Sequence, residues 1–203
     1  MIVTRIEEIS KTKVKVTFDQ DLILTIYKGE LRTYHIKAQE MIVQADFDLL
    51  LQTLEKRAKL RCMNLLKSRD YTTYQLRSKL KDNGYPDEII NHAIEYVASY
   101  GYVDDERYAR SYIDSASRTK SRRQIENDLT RKGVDKQIIS DSFAQIMQEQ
   151  DEDAEEELIR KYLVKKHYDR DTATYEDNRK MIAFLYRKGF SLDKIYKIVG
   201  ENG

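Results

Sequence analysis

Polar and apolar residues alternate with a period of two over Lys13-Val14-Lys15-Val16-Thr17-Phe18 and again over Leu22-Ile23-Leu24-Thr25-Ile26-Tyr27, the pattern of half-buried strands. The intervening Asp19-Gln20-Asp21 reads as a turn. With Ile2 to Ile9 before them and Leu31 to Ile36 after, these segments predict a small antiparallel sheet of three or four strands. Such a unit needs something to pack on. From Asp46 onward the period becomes that of a helix, with Phe47, Leu51, Leu54, Ala58, Cys62 and Leu65 on one stripe. Cys62 is then a small buried hydrophobe rather than a reactive thiol.

The remainder repeats itself. Leu76, Leu80 and Gly84 share a spacing with Ile125, Leu129 and Gly133 and with Met181, Leu185 and Gly189. Each glycine is followed by an apolar residue (Tyr85, Val134, Phe190), then by Ile90, Ile139 or Ile195, then by Ile94, Phe143 or Val199. A left-handed glycine ends a helix, the next apolar residue folds back on it, and a new amphipathic helix starts at Pro86, Asp135 or Ser191. A further helix precedes each pair: Phe47 to Lys67, Asp105 to Ser117 and Glu155 to Lys166. The fold class is therefore mainly α, three tandem three-helix, helix-turn-helix-like repeats behind a small N-terminal antiparallel sheet. Stacked in a row, such repeats make a curved, elongated molecule with a concave surface. The expected boundaries are a β extension over 1–45 and repeats over 46–100, 101–150 and 151–203. The wider glycine spacing in the third repeat assigns an insertion to His167 through Tyr175.

Composition narrows the chemistry. No apolar run approaches the ~18 residues of a membrane span, and Met1 to Ser10 has no signal-peptide pattern, so a soluble cytoplasmic protein is expected. One cysteine and three scattered histidines (His35, His92, His167) give no metal-ligand spacing, and no glycines stand close enough to cradle a phosphate. We therefore expect no catalytic residues, no metal and no cofactor. Asp104, Asp105 and Glu106 form a tight carboxylate cluster, whose place after Gly101 marks a helix cap with first-turn acids rather than a hydrolase site.

Lys plus Arg number 36 and Asp plus Glu 35, yet the charge is segregated. Residues 57–133 carry a net +5, 134–157 a net -8 and 158–203 a net +5, so two basic modules flank an acidic stretch (QEQDEDAEEE, 148–157) that reads as a helix start or as a hinge that masks the basic units. Arg118, Lys120, Arg122 and Arg123 span a loop and a helix start, where cations oppose the helix dipole and would suit phosphate binding. Lys79 and Lys81, Arg131 and Lys132, and Arg187 and Lys188 instead occupy last turns, where the dipole itself favours them. Tyr162, Tyr168, Tyr175 and Tyr186 mingle with basic residues, as stacking platforms or as half-buried packing groups.

At these residues the chain resembles the RecX family of bacterial recombination regulators. The motifs are TTYQLRSKL (Thr72 to Leu80), GYVDDERYA (Gly101 to Ala109) and KSRRQIENDLTRKGV (Lys120 to Val134). The resemblance runs from about Ala58 to Gly200, with the third repeat departing most and the N-terminal strands an extension that many relatives lack. It implies a non-enzymatic protein that binds the RecA filament, lies along its groove and suppresses its ATPase, strand-exchange and coprotease activities in DNA repair and the SOS response. It also implies binding to single- and double-stranded DNA, no membrane partner, and a monomer. The candidate filament- and DNA-binding residues are Arg118, Lys120, Arg122, Arg123, Arg131, Lys132, Arg77, Lys79 and Lys81. The rival is a stand-alone helical nucleic-acid-binding protein that does not act on RecA.

Overall fold

The computed structural model describes residues 1–149 and 154–200. It divides into two compact units, Met1–Asp104 and Asp105–Gly203. In the first, β1 (Val3–Glu8), β2 (Lys13–Phe18) and β3 (Ile23–Tyr27) form an antiparallel sheet in the order β1-β2-β3, with Val14 opposite Ile26 and Val16 opposite Leu24. The period-two pattern holds: Val14, Val16, Phe18, Leu24 and Ile26 are buried on one face while Lys13, Lys15 and Thr25 lie on the other.

The fourth expected strand does not form. Leu31 to Ile36 begins instead as the end of a short helix, α1 (Lys28–Thr33). The Glu30 carboxylate accepts the Tyr27 N–H at 2.7 Å and starts a helical turn, which His35 closes at a φ of +51° while the Ile36 N–H donates to the Leu31 carbonyl at 2.8 Å. Apolar spacing over so short a stretch does not separate strand from helix, and the capping contacts decide it.

The sheet has no core of its own. Its buried face packs on α2 (Gln44–Leu66), with Phe18 edge-on to Phe47 at 5.5 Å, and one apolar cluster continues through α3 (Thr73–Asp82) and α4 (Asp87–Ser99) as far as Val103. The stripe on α2 is Phe47, Leu50, Leu54, Ala58, Cys62 and Leu65, so Leu50 rather than Leu51 is the fully buried residue at that turn. Burial pushes the Cys62 thiol up to about 11, which keeps it protonated and unreactive.

The second unit holds α5 (Asp105–Ala116), α6 (Arg122–Arg131) and α7 (Lys136–Glu149) around one apolar cluster, Ala109 to Phe143. It also holds α8 (Ala154–Lys165), α9 (Tyr175–Arg187) and α10 (Leu192–Val199) around another, Leu158 to Val199. The repeat is visible hydrogen bond by hydrogen bond. Gly84, Gly133 and Gly189 all have positive φ, and the N–H groups of Tyr85, Val134 and Phe190 reach back to the carbonyls of Leu80, Leu129 and Leu185 at 3.1–3.3 Å. Each helix that ends this way also begins alike: Thr72, Ser121 and Thr174 cap α3, α6 and α9 in reciprocal boxes with Gln75, Gln124 and Asp177.

The third copy differs at its start. α9 has 13 residues where α3 and α6 have 10, because Thr174 caps one turn earlier than the spacing from Gly189 requires. Part of the insertion assigned to His167 through Tyr175 is thus an added helical turn. His167 itself has a φ of +52° and ends α8 in the role glycine plays elsewhere, which gives this histidine a backbone role.

Candidate functional site

The start of α6 is built by Ser121, which is fully buried. Its hydroxyl accepts the Gln124 N–H at 3.4 Å and donates to the Lys188 carbonyl at 2.8 Å, joining the second three-helix bundle to the third. Gly189 lies so close that a Cβ there would stand 2.8 Å from Ser121 Oγ and 3.2 Å from Arg123 Cβ. The anion-accepting position at this helix start is filled by the protein itself, since Glu155 of α8 accepts the Arg122 N–H at 3.0 Å. Glu155 also accepts from Lys194 at 2.8 Å, and Glu156 takes the ammonium of Lys197. These two acids therefore join helices rather than forming a solvated start, while residues 150–153 of the acidic stretch lie outside the described residues.

The two arginines placed at the α6 start part company. The Arg122 guanidinium donates to Glu126 at 2.8 Å and covers the Phe143 ring at 4.6 Å, so local packing accounts for it. Arg123 is exposed, and no carboxylate among the described residues lies within ion-pair distance of it. On an α-helix Arg123, Asn127 and Arg131 fall one turn apart on one face, and all three are exposed. Arg118 is exposed in the preceding loop, where its field adds to the Lys161 hydrogen bond in lowering the Glu157 pKa.

Lys120, Arg131 and Lys132 converge on a group that the sequence did not single out. Asp128 accepts from Lys120 Nζ at 2.6 Å, from Tyr112 OH at 2.9 Å and from the Arg131 guanidinium. Lys120 also donates to the Tyr112 oxygen at 2.9 Å. The Tyr108 and Tyr112 rings stack at 6.4 Å, and Lys132 Nζ sits 5.8 and 5.3 Å from their centroids. Two cations, Lys120 and Arg131, thus contact one carboxylate, and a third, Lys132, lies against the two aromatic rings beside it. The Lys120 hydrogen bond, together with those of Tyr112 and Arg131, carries the Asp128 pKa down to about 2 against a smaller opposing effect of burial. The same bond raises the Lys120 pKa.

A depressed carboxylate pKa stabilises the fold above the ordinary value and loses that contribution as pH falls through the depressed one. Asp128→Asn should therefore lower stability by about 1 kcal/mol at pH 7. The gap from wild type should close between pH ~4 and about 2 in denaturation curves. A gap independent of pH would mean that the charge of Asp128 contributes nothing.

In the first unit the candidate cations do not form one group. Arg77 donates to Asn91 at 2.6 Å and Lys81 pairs with Asp87 at 3.2 Å, whereas Lys79, two residues from each, lies on the opposite side of α3. The tyrosines of the last bundle divide likewise. Tyr162 packs edge-on to Phe184 and Phe190, Tyr168 bonds to Asn178, and Tyr175 and Tyr186 are exposed. Among the described residues no three His, Cys, Asp or Glu side chains are placed to hold a metal ion, and no helix is long and apolar enough to cross a membrane.

Three family models match in succession: the RecX first three-helix domain over residues 58–96, the second over 104–142 and the third over 153–199. The chain is 31% identical over 147 residues to the regulatory protein RecX of Mycobacterium leprae, covering 71% of this chain and 85% of that one. It is 28% identical over 188 residues to that of Clostridium perfringens strain 13, covering 87% and 88%. Among solved structures, a crystal structure of a regulatory protein RecX superposes with a TM-score of 0.64 over 99% of both chains at 20% identity. The RecX of Lactobacillus salivarius gives 0.63 over 73% of this chain and 96% of that one at 22% identity. At such identities the superpositions speak for the fold.

Proposed function

Because the chain belongs to the RecX family of regulatory proteins, we propose that it regulates RecA by binding the recombinase filament and its DNA and suppressing ATP hydrolysis, strand exchange and coprotease action. The observation that carries this is the unbroken succession of the three family domains over residues 58–199. The α6 face adds the chemistry. Arg123 and Arg131 point outward, Lys120 and Lys132 are held beside them, and a phosphate backbone is the polyanion such guanidinium groups grip in pairs. Arg118 adds to this loop, while on α3 Arg77 and Lys81 on one side and Lys79 on the other offer separate phosphate contacts. The mode of action is occupation of the filament groove by a monomer in the cytoplasm, without catalysis by the protein itself.

The test is RecA ATPase on circular single-stranded DNA, titrated with this protein. We expect inhibition at ratios far too low to coat the DNA. Inhibition that appears only when the DNA is saturated would instead make the protein a stand-alone nucleic-acid binder that competes with RecA for its substrate.

A further inference from the structure

The N-terminal sheet carries more than packing. A groove of about 340 Å³ opens between its outer face, α2 and the turn that joins α3 to α4. Its polar lining includes Lys13, Arg57, Arg61, Asn64, Asn83 and Tyr85, beside Thr25 and Tyr27 of β3, and among the described residues no carboxylate lines it. The volume lies at the small end of ligand pockets, ~300–1,000 Å³.

The cations reach it from separate elements and are held by neighbours. Lys13 stands directly opposite Tyr27 on the adjacent strand, with its ammonium 5.7 Å from the ring centroid. Arg57 lies 4.6 Å from the same ring and is neutralised by Glu30, a carboxylate already engaged with the Tyr27 N–H. Arg61 donates its Nε to Asn83 Oδ1 at 3.2 Å, which orients the guanidinium and leaves its two terminal nitrogens for another acceptor. Gly84 fixes the far wall: it sits so tightly on Thr25 that Asn83 and Tyr85 are clamped over the sheet. Two cations with no ion-pair partner among the described residues, one of them an oriented guanidinium, stand beside side-chain amides and a phenol that can donate, so the site is net positive and its neutral groups can turn donors inward. Phosphate oxygens, which only accept, complement it.

We propose that this groove is a nucleotide-phosphate site, with Lys13 and Arg61 as its cations and Asn64, Asn83 and Tyr85 as its neutral donors. The phosphate belongs to a nucleic-acid strand or to a free nucleotide. The site is independent of the α6 face and of any action on RecA, so it stands or falls without them.

The experiment uses the full chain. Fluorescence anisotropy with a labelled oligothymidylate, and calorimetric titration with dTMP, are compared for wild type, for Lys13→Ala with Arg61→Ala, and for the control Lys11→Ala with Lys37→Ala. The control removes the same charge outside the groove. We expect the groove variant to lose about tenfold in affinity, with its log–log salt slope for the strand smaller by about 1.4, and the control to lose neither. Asn64→Asp, which adds one carboxylate at an exposed position without changing volume, should produce the same loss if the double variant melts early. A strand carrying 5-iodouracil should cross-link to Tyr27 or Tyr85. Loss for the oligonucleotide assigns the site to a strand, and loss for dTMP alone assigns it to a free nucleotide. Unchanged affinity of both groove variants for both probes overturns the proposal.

Discussion

Gly84→Ala is expected to lower the stability of the N-terminal unit by about 3 kcal/mol, the sum of two separate effects. The first is conformational. Gly84 has a φ of +80°, where an L side chain costs ~1 kcal/mol or more. The second is steric, because an added Cβ would meet Thr25 Oγ1 at 2.2 Å and Thr25 Cβ at 2.6 Å, and forcing atoms into a packed site costs ~1–3 kcal/mol. Two other glycines separate the effects. Gly101 has a φ of +69° with nothing within 4 Å, so Gly101→Ala should cost only the conformational part. Gly29 lies inside α1 with nothing within 4 Å and no positive φ, so Gly29→Ala should be neutral or stabilising by up to ~1 kcal/mol. Denaturant melts of the three variants test the ranking, and Thr25→Ala in the Gly84→Ala background should recover part of the loss. Equal losses at Gly84 and Gly101 would show that the contact with Thr25 is not tight.

What was legible in the sequence follows from how local each cause is. The three helix ends could be read because a glycine C-cap, the apolar residue after it and the next helix start lie within one short stretch, and all three obey one spacing around Gly84, Gly133 and Gly189. The strand-to-helix change at Leu31 escaped because Glu30 acts through a single capping bond that hydrophobic spacing does not encode. The extra turn of α9 was readable in principle from Thr174 and Asp177, a capping pair that counting back from the glycine passes over. Arg122 has a local partner of the same short-range kind. Its position opposes the helix dipole, and Glu126 four residues on, a pair visible in the sequence, partners it on the helix surface. The Asp128 group is different in kind. Its partners Tyr112 and Lys120 lie 16 and 8 residues away, and only the packing of α5 against α6 brings them together. The contact of Gly84 with Thr25 is more remote still, joining helical turn to strand.

Removing the charges of Arg123 and Arg131 together, as Arg123→Gln with Arg131→Gln, is expected to weaken DNA binding about a hundredfold at low salt, since one charge-assisted phosphate contact is worth ~1.4 kcal/mol or more. The salt dependence should fall with it. Each phosphate contact contributes ~0.9 to the log–log slope on duplex DNA, so the double variant should lose about 1.8. Thermal stability should change little. Arg123 has no carboxylate partner among the described residues, and Arg131 is 77% exposed while Asp128 keeps Lys120 and Tyr112 when it is gone. Arg122→Gln should do the reverse, costing ~1 kcal/mol through Glu126 and Phe143 while leaving DNA affinity close to wild type. The contrast matters because the two arginines are adjacent and equally charged, so a nonspecific loss of positive field would affect both variants alike. Measured side by side with RecA ATPase inhibition, the pair discriminates sharply: if Arg122→Gln weakens binding as much as Arg123→Gln does alone, the outward face of α6 is not the contact surface, and a diffuse basic field is.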